Sequence, residues 1–165
     1  MPEIKWDYYE KCLDKVEKIF GKRENFTIEE VTDYFEKNYQ ARVYDDLYSM
    51  ITSENIPENA NQSIEGYTQY SISGKRYKCL FLVASSGIDK GMRYPLIIGY
   101  DKNGIITSFF REYGGEEGEI LDVLCKNWRE DLIERHKQWE EYDKAHPLEE
   151  RLKALLGEDY DKKNP

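Results

Sequence analysis

The chain has little cysteine, histidine or proline and no long apolar run, and each shortage closes off a class of protein. Among 165 residues there are only three Cys and two His. Cys12, Cys79 and Cys125 are far apart and odd in number, which fits neither a disulfide framework nor a zinc knuckle. They read as free, buried thiols of a reducing, cytoplasmic setting. His136 has Glu140 one helical turn on and Asp143 near the same face, but no second His joins it, so no metal site and no cofactor is expected. His146 stands before Pro147 and reads as a helix-end residue. No stretch reaches the roughly 20 apolar residues that cross a bilayer. The start, Met1-Pro2-Glu3-Ile4-Lys5-Trp6, has no apolar h-region and does not read as a signal peptide.

What the chain does have is charge and aromatic rings. Hydrophobic residues make up 39% and charged residues 35%. A low apolar share with high charge can mean disorder, but disordered chains are poor in aromatics. Here there are 14 Tyr, 6 Phe and 3 Trp, so the reading is a folded domain with a charged skin and a ring-rich core. The net charge of −9 is unevenly spread. Residues 1–60 carry 14 acids and 8 bases, residues 61–117 carry 6 and 7, and residues 118–165 carry 13 and 9. Nucleic-acid affinity comes largely from Lys and Arg meeting phosphates. The acidic flanks oppose it, and only the middle of the chain leaves room for it.

Hydrophobic spacing predicts an α+β fold: an N-terminal three-helix layer, a four-stranded, mostly antiparallel sheet and a long C-terminal helix. In the first helix Tyr9, Cys12, Leu13, Val16, Ile19 and Phe20 share a face, and Gly21 ends it. Thr27 and Glu30 form a capping-box pattern at the start of the second, with Phe26 and Val31 as its hydrophobic staple. The third is expected over about Ala41–Thr52. Residues 53–63, with Pro57 and three Asn, read as a polar connection. Period-2 patterning then predicts strands at Tyr67–Ile72, at Tyr77–Ala84, from Leu96, and at Ile105–Phe110. Tight turns are expected at Ser73-Gly74 and at Asp101-Lys102-Asn103-Gly104. Gly114, Gly115 and Gly118 break the sheet. Leu121, Cys125, Trp128, Leu132 and Trp139 predict one continuous apolar seam on the long helix, buried at both tryptophans. Beyond Pro147, Leu148, Leu152, Leu155 and Leu156 predict a short last helix closed by Gly157. One domain is expected over 1–157, with its helical part at 4–52, sheet at 64–113 and C-terminal helices at 118–157. Residues 158–165 read as a flexible tail.

Three functional readings follow. The first is a non-enzymatic binding protein that inhibits or neutralises a macromolecule, of the immunity or anti-defence kind. Acidic flanks suit a basic protein partner, because the field speeds encounter and exposed carboxylates can stand in for phosphates. Its candidate contact residues are Asp45, Asp46, Glu130, Asp131 and Glu134. Net charge of this size also keeps a small domain soluble. The second reading is a ribonuclease-like enzyme on a basic sheet face. Lys75, Arg76, Lys78, Lys90, Arg93, Lys102 and Arg111 alternate there with Tyr77, Tyr94, Tyr100, Phe109 and Phe110, a mixture that can hold single-stranded nucleic acid. The third is a winged-helix regulator, suggested by three helices before a hairpin. Its third helix would set Arg42 against Asp45 and Asp46, with Glu54 nearby, and such a helix repels phosphate. The loop Ser85 to Gly91 has two glycines and a lysine, but a strand rather than a helix follows it, so it reads as a turn and not a phosphate loop.

The hairpin Asp101-Lys102-Asn103-Gly104 followed by Ile105-Ile106-Thr107-Ser108-Phe109-Phe110 resembles the closing hairpin of small bacterial ribonuclease toxins of the barnase/RelE-like group. That resemblance implies RNA cleavage, with Arg76, Arg93, Thr107 and Arg111 as the candidate residues. It covers the hairpin and little more, and the long C-terminal helix departs from the group's pattern.

Overall fold

The computed structural model describes residues 3–72, 76–88, 90–111, 116–145 and 155. The turn at Ser73-Gly74, Gly114, Gly115, Lys75, the tail 158–165 and, apart from Leu155, the last helix lie outside the described residues. The fold is α+β. Among the described residues it holds α1 (Trp6–Phe20), α2 (Ile28–Tyr39), β1 (Arg42–Tyr44), α3 (Leu47–Ser53), α4 (Glu58–Ser71), β2 (Tyr77–Val83), β3 (Arg93–Tyr100), β4 (Ile106–Arg111), α5 (Glu116–Leu121) and α6 (Trp128–Ala145). The chain divides into two units. Trp6–Trp128 carries the sheet, and the second unit takes the chain on either side of it.

The sheet is antiparallel throughout, in the order β1-β2-β3-β4. Alternation along β2 and β3 splits the interior into two cores. Leu80, Leu82, Tyr94, Leu96 and Ile98 point to one face, where Cys12 and Val16 of α1, Val31 and Phe35 of α2, and Ile120 and Leu121 of α5 cover them. Cys79 and Ile97 point to the other, under Met50 of α3 and Ile64 of α4. β2 is thus central and covered on both sides, as its sequence predicts.

The start of α2 is also as predicted. Thr27 accepts from the Glu30 N–H while the Glu30 carboxylate accepts from Thr27, and Phe26 and Val31 are buried. In the β3–β4 turn Gly104 takes φ +79°, and the Asp101 carboxylate accepts the Asn103 and Ile105 N–H groups at 2.8 and 3.1 Å. The left-handed position is needed at Gly104 and not at Asn103.

Three elements differ from the sequence reading. The edge strand of the sheet is Arg42–Tyr44, not 67–72. Its three residues pair with Phe81, Leu80 and Cys79, and that pairing overrides the helical spacing of Val43 with Leu47. The third helix consequently begins at Leu47. Second, most of 53–63 and all of 67–71 form one helix, α4. Ile64, Thr68 and Ile72 step by four and are all buried, giving even this polar segment one packed edge. Pro57 stands at its N-cap, where a missing N–H costs nothing.

Third, the seam on the long helix is broken. α5 stops at Leu121, and the chain turns through Asp122–Asn127 before α6 starts at Trp128. Leu121, Val123, Leu124 and Cys125 are all buried, and residues so closely spaced cannot share one helical face. The turn buries all four. Trp128 is half-buried and stacks on Tyr9, with centroids 5.7 Å apart. Trp139 is 45% exposed, and no residue of α6 is fully buried.

Gly99 is the tightest point of the sheet. A Cβ there would lie 2.5 Å from Ser108 Oγ and 2.8 Å from Ile72 Cγ2, at the register shift between β3 and β4. Gly99→Ala should therefore destabilise by about 1–3 kcal/mol through overpacking, read as a lower urea midpoint at unchanged slope. Trp128→Ala should cost about 1–3 kcal/mol, below the ~3–5 of a fully buried ring, and Trp139→Ala under about 1 kcal/mol. Equal losses for the two tryptophans would contradict this account.

Candidate binding cleft

The structure separates the proposed site residues. Arg76 lies at the start of β2, where its carbonyl accepts the Tyr100 N–H at 3.1 Å. Arg93 opens β3, eight residues long, so the two stand about 23 Å apart along the strand. Thr107 is exposed on β4 near the Arg76 end. Arg111 ends β4 and pairs with Asp122 at 3.3 Å. The residues implied by the ribonuclease resemblance are not one constellation.

Of the bases, Lys78 and Arg93 are engaged within the fold, while Arg76, Lys90 and Lys102 are exposed. Lys78 pairs with Asp45 at 2.5 Å, which holds the Asp45 carboxyl below its usual range. Arg93 donates to the Gln40 and Phe81 carbonyls at 3.3 and 3.4 Å. Tyr77, Tyr94, Tyr100, Phe109 and Phe110 pack in or against the two cores. The expected recognition helix is absent as well. α3 contains no Lys or Arg, and Arg42 sits on the strand before it.

The loop after β2 is anchored, and its first N–H is already used. Glu117 of α5 is fully buried, and its Oε1 accepts the Ser85 N–H at 2.9 Å. Burial, reinforced by the Glu117 carboxylate, pushes the Tyr94 hydroxyl up. Gly118 lets the Arg111 guanidinium lie against the helix, since a Cβ there would meet Nη1 at 2.7 Å.

Of the acidic candidates, Asp45 and Asp46 adjoin α3, while Glu130, Asp131 and Glu134 are exposed on α6. Asp46 caps α3, its carboxylate accepting the Ser49 N–H at 2.7 Å. It also lines a cleft of about 780 Å³ with Leu47, Tyr48, Glu65, Thr68, Gln69, Ile72 and Tyr77. Residues 65, 68, 69 and 72 form one face of α4, the spacing i, i+3, i+4, i+7. Tyr77 opens β2 beside them. Alternation along β2 turns Tyr77 and Lys78 to opposite faces of the sheet, so the Lys78–Asp45 pair lies away from the cleft. Two carboxylates and two phenol rings line the opening, and among the described residues no lysine or arginine does. Tyr48 is 79% exposed.

Sequence reading found Asp46, and Tyr77 only as a ring of the basic sheet face, but not Tyr48, Glu65, Thr68 or Gln69. The signal was the four-step spacing of Ile64, Thr68 and Ile72, masked by the Asn-rich start of α4 and by an apparent period of two.

A charged hub ties the end of α3 to β1. The Glu54 backbone N–H closes the end of α3 on the Met50 carbonyl, and the Glu54 carboxylate is buried at 7% side-chain exposure. It accepts Arg42 Nε at 2.5 Å, Arg42 Nη2 at 2.6 Å and the Tyr44 hydroxyl at 2.6 Å. The Arg42 guanidinium holds the Glu54 carboxyl below the usual carboxylate range. A lowered folded-state pKa contributes stability above the unfolded value, and that contribution is lost as pH falls through the folded value. The stability gap between the wild type and Glu54→Gln should therefore be full near about pH 6 and shrink below about pH 4.3. A gap that ignores pH would remove the ion pair from the account.

Among the described residues no three His, Cys, Asp or Glu gather to hold a metal, and no helix is long and apolar enough to cross a membrane. The three cysteines are free and buried, with burial pushing the Cys79 thiol up to about 12. Compared with protein-family models, curated proteins and solved structures, the chain matches none of them.

Proposed function

We propose that this protein is a small acidic binding protein of the cytoplasm that neutralises a basic macromolecular partner, in the manner of immunity or anti-defence proteins. Its contact centre is the cleft between α3 and α4. The observation that carries the reading is the cleft's lining. Asp46 and Glu65 come from different elements, Tyr48 and Tyr77 stand with them, and among the described residues no base in the lining offsets their charge. Such an opening attracts cations and repels phosphate. Glu130, Asp131 and Glu134, exposed in the first two turns of α6, offer a second acidic contact.

Three bases on the strands of the sheet support the same reading. Arg42, Lys78 and Arg111 each meet a carboxylate within the fold. Their charge is paired within the fold, whereas Glu65 is exposed in the cleft and Asp46, though it caps α3, meets no base among the described residues.

The test is capture from cell extract at low and high salt, with bound protein and nucleic acid both identified. The wild type should recover a basic protein in a salt-sensitive manner. Glu65→Lys, an exposed position that leaves the fold intact, should weaken that recovery by about tenfold or more. Recovery of RNA or DNA without protein, or a basic protein held equally by the variant, would overturn the proposal.

A further inference from the structure

We infer that the cleft reads arginine: its occupant is the guanidinium side chain of one arginine projecting from the basic partner. The inference rests on the binding reading above and narrows it to one chemistry.

Three features of the lining select that group. The acids lie on separate elements, Asp46 at the head of α3 and Glu65 midway along α4. A guanidinium has five N–H donors in a planar fork and can serve two acceptors at once, whereas an ammonium is a compact point charge. Asp46 already accepts from the Ser49 N–H and hydroxyl at 2.7 and 3.1 Å, but a carboxylate offers about four acceptor positions, so capacity remains. Second, Tyr48 is 79% exposed and lines the same cleft. An aromatic ring in water beside two carboxylates is a ready platform for a flat cation, and arginine stacks on such rings more often than lysine. Third, Leu47 and Ile72 supply apolar wall below the charged rim, which suits the methylene stem that a long cationic side chain buries. The Gln69 side chain offers a further acceptor.

Charge complementarity favours this occupant over the alternatives. Phosphate-bearing ligands are repelled. A small polyamine would satisfy the charge but has no planar head to lie on Tyr48. An apolar segment would leave the two carboxylates desolvated and unpaired.

The experiment uses three capped peptides of glycine and serine with one central residue: arginine, lysine or citrulline, the last nearly the shape of arginine but uncharged. Each is titrated into the full chain at low salt, and the backbone amide shifts of Glu65, Gln69 and Tyr77 are followed by NMR. The arginine peptide should saturate those shifts, the lysine peptide should bind several-fold more weakly, and citrulline should not bind. Glu65→Gln and Tyr48→Leu, both at exposed positions, should each reduce the arginine affinity while the remaining amide spectrum stays unchanged. Equal binding of lysine and arginine would overturn the arginine inference and leave the acidic-cleft reading standing. No shift in the cleft with any cationic peptide would overturn both. Spermidine binding as well as the arginine peptide would make the cleft an amine site and overturn the inference.

Discussion

Burial of β2 and β3 on both faces is the constraint from which the rest of the sheet-bearing unit follows. From Tyr94 to Gly99 every residue of β3 is buried. A strand with no wet face needs two coverings, and the chain supplies them in order. α1, α2 and α5 close one side, and α3 and α4 close the other. Gly99 marks how closely the second layer approaches, since Ile72 at the end of α4 occupies the space a side chain would need. The turn after α5 belongs to the same logic. Helix ends there because four apolar residues in a row of five are better buried by a turn than by a helical face.

The cleft follows from how unequally the two sides are covered. The first side receives two long helices and a large cluster; the second receives the seven residues of α3 and the polar α4. α3 is too short to hold itself in place. It is held at both ends: the Asp46 carboxylate caps its start, and at its end the Glu54 backbone N–H bonds the Met50 carbonyl while the Glu54 carboxylate binds Arg42 and Tyr44 of the adjoining strand. A gap remains between α3 and α4. In that gap the polar residues of both helices meet.

The sequence made the fold class legible and hid part of the topology. The capping box at Thr27 and Glu30, the Gly104 turn and the double-faced β2 are local signals, and local signals survive into the structure. The edge strand does not announce itself, because Arg42-Val43-Tyr44 is a strand only by virtue of its pairing with β2. α4 was hidden for the opposite reason. Its Asn, Gln and Ser content suits loops, and its helical identity rests on three residues four apart, one of them a threonine. The cleft lies between α3 and that hidden helix, so it could not be read from the chain even though Asp46 had been singled out for its charge.

Net charge alone says little about a partner, because solubility asks for the same −9 that a basic target would. The distribution of pairing says more. Where acids and bases meet within the fold, as at Arg42–Glu54, Lys78–Asp45 and Arg111–Asp122, the charge serves geometry. A solubilising charge has no need of a concave setting, still less of aromatic neighbours. Asp46 and Glu65 have both, and the field they create is concentrated by the low-dielectric walls around it. A concave acidic surface walled by tyrosine and leucine is a setting in which a cation with an apolar stem can shed water, and the proposed binding role rests on that contrast with scattered, solubilising charge.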